Sequence, residues 1–164
     1  MLRIIKILLV LSVAMFGLLG VIGNLTDWEG TIGALAATTS MSTFEGGAES
    51  WRATNNSAII TAGALYIVVL KGLFALLCFA GTWKMWGAYD NDSASFAKAK
   101  AYALAGCGVA MFMLFTGWIV IAETWFELWR SEALREAALG AAFRYFAMIG
   151  LIALFVTMPD GDVA

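Results

Sequence analysis

The stretch AYALAGCGVAMFMLFTGWIVIA, residues 101–122, carries no charge and no proline. A helix that crosses the bilayer needs about 20 consecutive, mostly apolar residues, and this stretch supplies them. Three more segments have the same character. Residues 4–23 carry one charge, Lys6, near their start. Residues 58–83 carry only Lys71, and residues 137–159 only Arg144. The whole chain of 164 residues is 62% hydrophobic and 13% charged, whereas a soluble domain is about half apolar and about a quarter charged. Lipid is therefore the solvent, and the expected architecture is an all-α integral membrane protein: an antiparallel four-helix bundle forming one domain over residues 1–164.

Residues 4–23 also resemble a secretory leader, because Met1 to Lys6 has the look of its charged start. The apolar run exceeds the usual 7–15 residues, and no clear small-residue cleavage site follows. A retained signal anchor is the reading we take. Orientation follows the Lys/Arg balance of the short loops. With the N-terminus inside, Arg3, Lys6, Lys84, Lys98 and Lys100 fall inside, and Arg52, Arg130 and Arg135 outside. The expected topology thus places both termini in the cytoplasm and the long loop 24–57 outside. Within that loop, Thr31 to Ala37 is expected to form one or two helical turns. The second outer connection, Thr124 to Glu136, is rich in helix formers, so the third span is expected to run past the membrane surface before turning.

Several chemistries are excluded at this stage. The chain has no histidine, so imidazole metal sites, bis-histidine haem and a histidine base are out. Cys78 and Cys107 are too few for a zinc or iron–sulfur site and read as small buried apolar residues. No phosphate-binding glycine loop, HExxH or GxSxG occurs, and no basic stripe suggests nucleic acid. No cofactor and no metal is expected.

Three ionisable residues stand at membrane depth: Lys71, Glu123 and Arg144. Charge there is costly and usually faces the bundle, a partner or a water path. Glu123 and Arg144 lie on consecutive spans near the same boundary, so a bidentate clamp between them is the simplest expectation. On that reading Glu123→Ala would destabilise the protein more than Glu127→Ala. Lys71 sits near mid-membrane with no carboxylate clearly at its depth. Tyr66, Thr116 and Tyr145 are its candidate neutral partners, with a partner subunit's carboxylate or an aqueous cavity shared with Glu123 as alternatives. Trp28, Trp51, Trp125, Phe126 and Trp129 fall at the outer boundary and Trp83 and Trp86 at the inner one. Anchoring at the headgroup level explains them; the outer group is also a candidate docking rim. Gly17, Gly20 and Gly23, Gly106 and Gly108, and Gly140 with Ala141 mark faces suited to close helix contact.

Gly23-Asn24-Leu25-Thr26-Asp27, Met41-Ser42-Thr43-Phe44 followed by Trp51-Arg52-Ala53, Ala75-Leu76-Leu77-Cys78-Phe79-Ala80-Gly81, Glu123-Thr124-Trp125-Phe126-Glu127-Leu128-Trp129 and Phe143-Arg144 occur in that order. In this arrangement, over nearly its whole length, the chain resembles the DUF2165 family of small bacterial integral membrane proteins. The resemblance implies four helices in a bacterial inner membrane and no known activity, so it assigns no functional residues. It also implies an acidic residue where Lys71 stands and a glutamine where Arg130 stands, two departures in this chain.

Without a catalytic constellation, the sequence favours a non-catalytic accessory or scaffold subunit of a larger membrane complex. The alternative is a small transporter or channel, built as a homo-oligomer around Lys71, Glu123 and Arg144. An inverted repeat and proline-broken helices, frequent in transporters, are missing from the sequence.

Overall fold

The computed structural model describes residues 1–161; the last three residues of the expected domain, 162–164, lie outside the described residues. Four helices are long and apolar enough to cross a membrane: Leu2–Thr26, Ser57–Gly87, Ser93–Trp125 and Arg135–Thr157. We label the elements α1 (Leu2–Thr26), α2 (Trp28–Thr39), α3 (Ser57–Gly87), α4 (Ser93–Ala99), α5 (Ala101–Leu114) and α6 (Ala141–Thr157). A π-helical stretch, Phe115–Trp125, continues α5, and another, Arg135–Gly140, leads into α6. Three helices start on a side-chain cap. The carboxylate of Asp27, the amide oxygen of Asn56 and the carboxylate of Asp92 accept from the backbone N–H of Gly30, Ala58 and Ser95, each satisfying one donor that the first turn leaves unpaired.

Cross-contacts fix an antiparallel bundle. Gly81 meets Ala103 and Gly106 meets Cys78, while further along Gly117 meets Tyr66; α3 and α5 therefore run in opposite directions. Met111 touches Gly150 and Phe115 stacks obliquely on Phe146 at 5.9 Å, so α6 reverses again. Gly17 packs on Phe74 and Ala75 of α3. Phe16 meets Tyr145 at 4.9 Å, closing α1 against α6. The core between the helices includes Val10, Ala14, Phe74, Cys78, Cys107, Ala110, Met113 and Val156. Both cysteines are free and buried. The long apolar side chains Leu19, Leu65, Val69, Leu76, Phe112, Leu151 and Leu154 point outward and are exposed, the arrangement lipid requires and water penalises.

The end that carries Met1 and Gly161 is tied by buried charge. Arg3 donates from Nη1 to the carbonyls of Tyr89 and Asn91 (2.7 and 2.6 Å) and from Nη2 to that of Gly161 (2.9 Å). Lys6 and Lys100 both donate to the Met158 carbonyl, at 2.5 and 3.0 Å. Both also pair with the Asp160 carboxylate, Lys6 at 2.9 Å. Arg3 and Lys100 lie over the buried Phe96 ring, and Lys6 over Phe155. Three cations from α1 and the α4–α5 junction thus hold the inter-helix loop and the C-terminal tail. The sequence reading treats these residues only as orientation signals, because nothing local in it shows that Pro159-Asp160-Gly161 folds back.

The other end departs from expectation in two respects. The segment expected to hold one or two helical turns forms the twelve-residue α2, whose Leu35 packs against Gly63 of α3. The expected extension of the third span past the membrane surface does not form. Its winding stops at Trp125, Glu127 takes a left-handed φ of 51°, and a short 3-10 turn at Leu128–Arg130 follows. Strong helix propensity in residues 127–136 yields here to tertiary contacts of Glu127 and Arg130 described below.

Candidate functional site

Lys71 leaves α3 halfway along its length and passes over Gly20 of α1. Its Cδ, Cε and Nζ lie 3.1–3.3 Å from where a Cβ on Gly20 would stand, so the small residue makes the path. Nζ donates to Asn24 Oδ1 at 2.6 Å. Asn24 Nδ2 in turn donates to Thr31 Oγ1 at 3.0 Å. The lysine therefore reaches the break between α1 and α2, and no carboxylate pairs with it among the described residues. None of Tyr66, Thr116 or Tyr145 bonds it. Asn24 is the residue that sequence reasoning missed. It stands one residue beyond the expected first span and looked like the start of a loop.

A cavity of about 230 Å³ opens beside this lysine. Its walls are Thr31, Leu35 and Thr38 of α2, and Tyr66, Ile67 and Lys71 of α3. The far wall comes from Gly117, Trp118, Ile121 and Ala122 in the π-helical stretch, closed by Leu128 and Ala138. A second cavity of about 280 Å³ shares Lys71, Trp118 and Ala138 with it and extends to Phe16, Met113, Ala141 and Tyr145. Lys71 thus stands at the junction of two spaces whose lining carries no carboxylate and no thiol. The π-helical winding of both Phe115–Trp125 and Arg135–Gly140 bounds this region. Such wide turns are rare and frequently found at functional sites.

Glu123 and Arg144 do not form the expected clamp. Arg144 is exposed and Glu123 is half-buried. The ion pairs among the described residues are Lys6 and Lys100 with Asp160, and Arg52 and Arg130 with Glu127. The physical reason is the winding: i→i+5 turns before and after the connection change the angular register on which a helix-face argument depends. The stabilising carboxylate at this end is Glu127. It pairs with Arg52 and, at 2.9 Å, with Arg130. Arg52 also donates to the Trp125 carbonyl and Arg130 to that of Glu45, each at 3.0 Å. The long loop is thereby fastened to the end of the third span. The hydrogen bond from Arg130 first, then that from Arg52, holds the Glu127 carboxyl below its usual range despite partial desolvation.

A lowered carboxylate pKa contributes stability that is complete above the unfolded value, about 4.3, and is lost as pH falls through the folded one. We therefore expect the reverse of the order inferred from sequence. Glu127→Ala should lower the melting temperature in detergent at pH 7 more than Glu123→Ala, and the gap between the two should close on acidification below about pH 4. Equal melting temperatures at pH 7 would show that the arginine contacts contribute nothing.

The outer aromatic group is only partly a rim. Trp51 is 82% exposed and meets Trp125 edge-on at 5.5 Å; Trp129 is 53% exposed. Phe126 is buried and is withdrawn from any docking surface, since the left-handed turn at Glu127 directs the chain back onto the bundle. Trp28 is half-buried and makes no ring contact with the others among the described residues.

No curated protein matches this chain, and no solved structure matches it. Residues 2–159 match the model of a family described as predicted small integral membrane protein, DUF2165. The chain belongs to that family.

Proposed function

We propose that this DUF2165 member is a non-catalytic ligand-binding protein of the membrane, in which the Lys71 junction receives a small amphiphile with one anionic head. The observation that carries this reading is the lysine itself. It stands between two largely apolar cavities with its Nζ bonded to a neutral amide, which leaves ammonium donors for a carboxylate or similar head. Charge-assisted hydrogen bonds of this kind are roughly twice as strong as neutral ones. The apolar walls suit a hydrocarbon body, as ligand pockets generally combine such walls with a few placed polar groups. The reading belongs with the transport alternative more than with a scaffold, because Lys71 has an internal partner and needs no other subunit to satisfy it.

The test is binding of a brominated medium-chain fatty acid, read by quenching of tryptophan fluorescence, since Trp118 lines both cavities. Saturable quenching is expected for the wild type, and about tenfold weaker binding for Lys71→Met, equivalent to about 1.4 kcal/mol. Lys71→Arg should retain part of the affinity. Equal affinity in wild type and Lys71→Met would overturn the proposal. One observation favours the accessory-subunit reading: exposed Trp51, Trp125 and Trp129 beside the braced Arg52–Glu127–Arg130 group. A fixed stoichiometric partner recovered after mild solubilisation, and lost in Trp51→Ala, would support it.

A further inference from the structure

We infer that the terminal end of the bundle carries a site for the phosphate headgroup of an anionic glycerophospholipid, held by Lys84 and Lys98. The lysines at this end of the bundle have different fates. Lys100 is buried and paired with Asp160. Lys84, in the last turn of α3, and Lys98, in the last turn of α4, take part in none of the ion pairs among the described residues. Both line one pocket of about 370 Å³, together with Ser95 and Tyr102. Its remaining lining is Gly87, Ala88 and Ala99, too small to fill it. The Lys84 Nζ lies 4.8 Å from the centre of the Tyr102 ring, which positions the cation over an aromatic face.

The surroundings identify a lipid as the occupant. Trp83 and Trp86 flank Lys84 in sequence and are 81% and 63% exposed. Tryptophans at the end of a spanning helix sit at headgroup level, so the pocket lies where lipid phosphates are. α4 is held there by the buried Phe96 beneath Arg3. Ser95 Oγ donates to Asp92 Oδ2 at 2.9 Å, and Asp90 and Asp92 are exposed in the connection beside the pocket, but the lining itself holds two cations and no carboxylate. A headgroup seated against that lining meets two ammonium groups, which favours an anionic headgroup over a zwitterionic one. Lysines near a membrane surface attract anionic lipids, and basic pockets between spanning helices bind such headgroups.

The site lies at the opposite end from the α1–α2 break and uses none of its residues, so it is independent of the Lys71 proposal. The experiment compares thermal unfolding of the detergent-solubilised protein on titration with dioleoyl phosphatidylglycerol, dioleoyl phosphatidylcholine or inorganic phosphate. Phosphatidylglycerol should stabilise at about tenfold lower concentration than phosphatidylcholine, and phosphate should not. Lys84→Gln/Lys98→Gln should abolish the preference while unfolding at the wild-type temperature without added lipid; Lys71→Met should retain it. An unchanged preference in the double variant overturns the proposal. So does stabilisation by phosphate equal to that by phosphatidylglycerol, which would indicate a site for free anions.

Discussion

Asp160→Asn is expected to cost the folded protein about 3–5 kcal/mol, the loss typical when one partner of a buried ion pair is removed. Among the described residues, Asp160 is the carboxylate that pairs with Lys6 and Lys100, whose side chains are 0% and 5% exposed, and its own is 2% exposed. Arg3 lies in the same cluster through the Gly161 carbonyl. Asparagine keeps the shape and removes the charge, so two buried ammonium groups lose their counter-ion while still sharing the Met158 carbonyl. The tail should release first, and protease trimming at the C-terminus should accompany a lower melting temperature. Combining Asp160→Asn with Lys100→Met should restore part of the loss, because the surplus cation goes with it. A change below about 1 kcal/mol would show that water already screens this cluster, as at exposed pairs. The pH dependence has a definite sign. Burial pushes the Asp160 carboxyl up, but the hydrogen bonds and charges of Lys100 and Lys6 pull it further down, so its pKa is lowered. Its contribution is complete above the unfolded value, about 3.9, and is lost as pH falls through the folded one. Acid should therefore loosen the wild type below about pH 4 and affect Asp160→Asn much less.

The second large effect is expected at Gly81. A Cβ there would stand 2.4 Å from the Ala103 backbone nitrogen and 2.6 Å from its Cα. Both atoms are main chain, so α3 and α5 must separate here. Even alanine should cost about 3 kcal/mol, the upper end of ordinary overpacking, and leucine should prevent assembly of the spans. Gly108→Ala is the control. No atom lies within 4 Å of its position, and alanine in a helix interior should gain about 0.5–1 kcal/mol. Unfolding in denaturing detergent ranks the variants; similar behaviour of Gly81→Ala and Gly108→Ala would mean that α3 and α5 do not meet here. The comparison also separates glycines that composition treats alike. Gly17 and Gly106 make close contacts, Gly20 gives passage to Lys71, and Gly23 and Gly108 face open space. Spacing marks small residues; only the facing helix decides which of them matter.

Four spans, their antiparallel order and the place of Lys71 halfway along the second of them were determined by the sequence alone. Each follows from a property that adds up locally: about 20 apolar residues against a fixed hydrocarbon thickness, with charge nearly absent between. The same local logic places tryptophans at both ends of the bundle. Tertiary structure alone decided what the polar residues do. Asn24 became the partner of Lys71 because α1 breaks at Asp27 and α2 folds beside α3. Glu127 took the arginines, and Glu123 and Arg144 went separate ways, because π-helical winding changed which faces meet. Asp160 became a buried counter-ion because the tail returns to α1 and the start of α5. An intramembrane charge can be satisfied by any group that the packed chain brings within about 3 Å of it. That identity depends on helix register, close approach at glycines and the path of short connections, and a one-dimensional apolar pattern constrains none of the three.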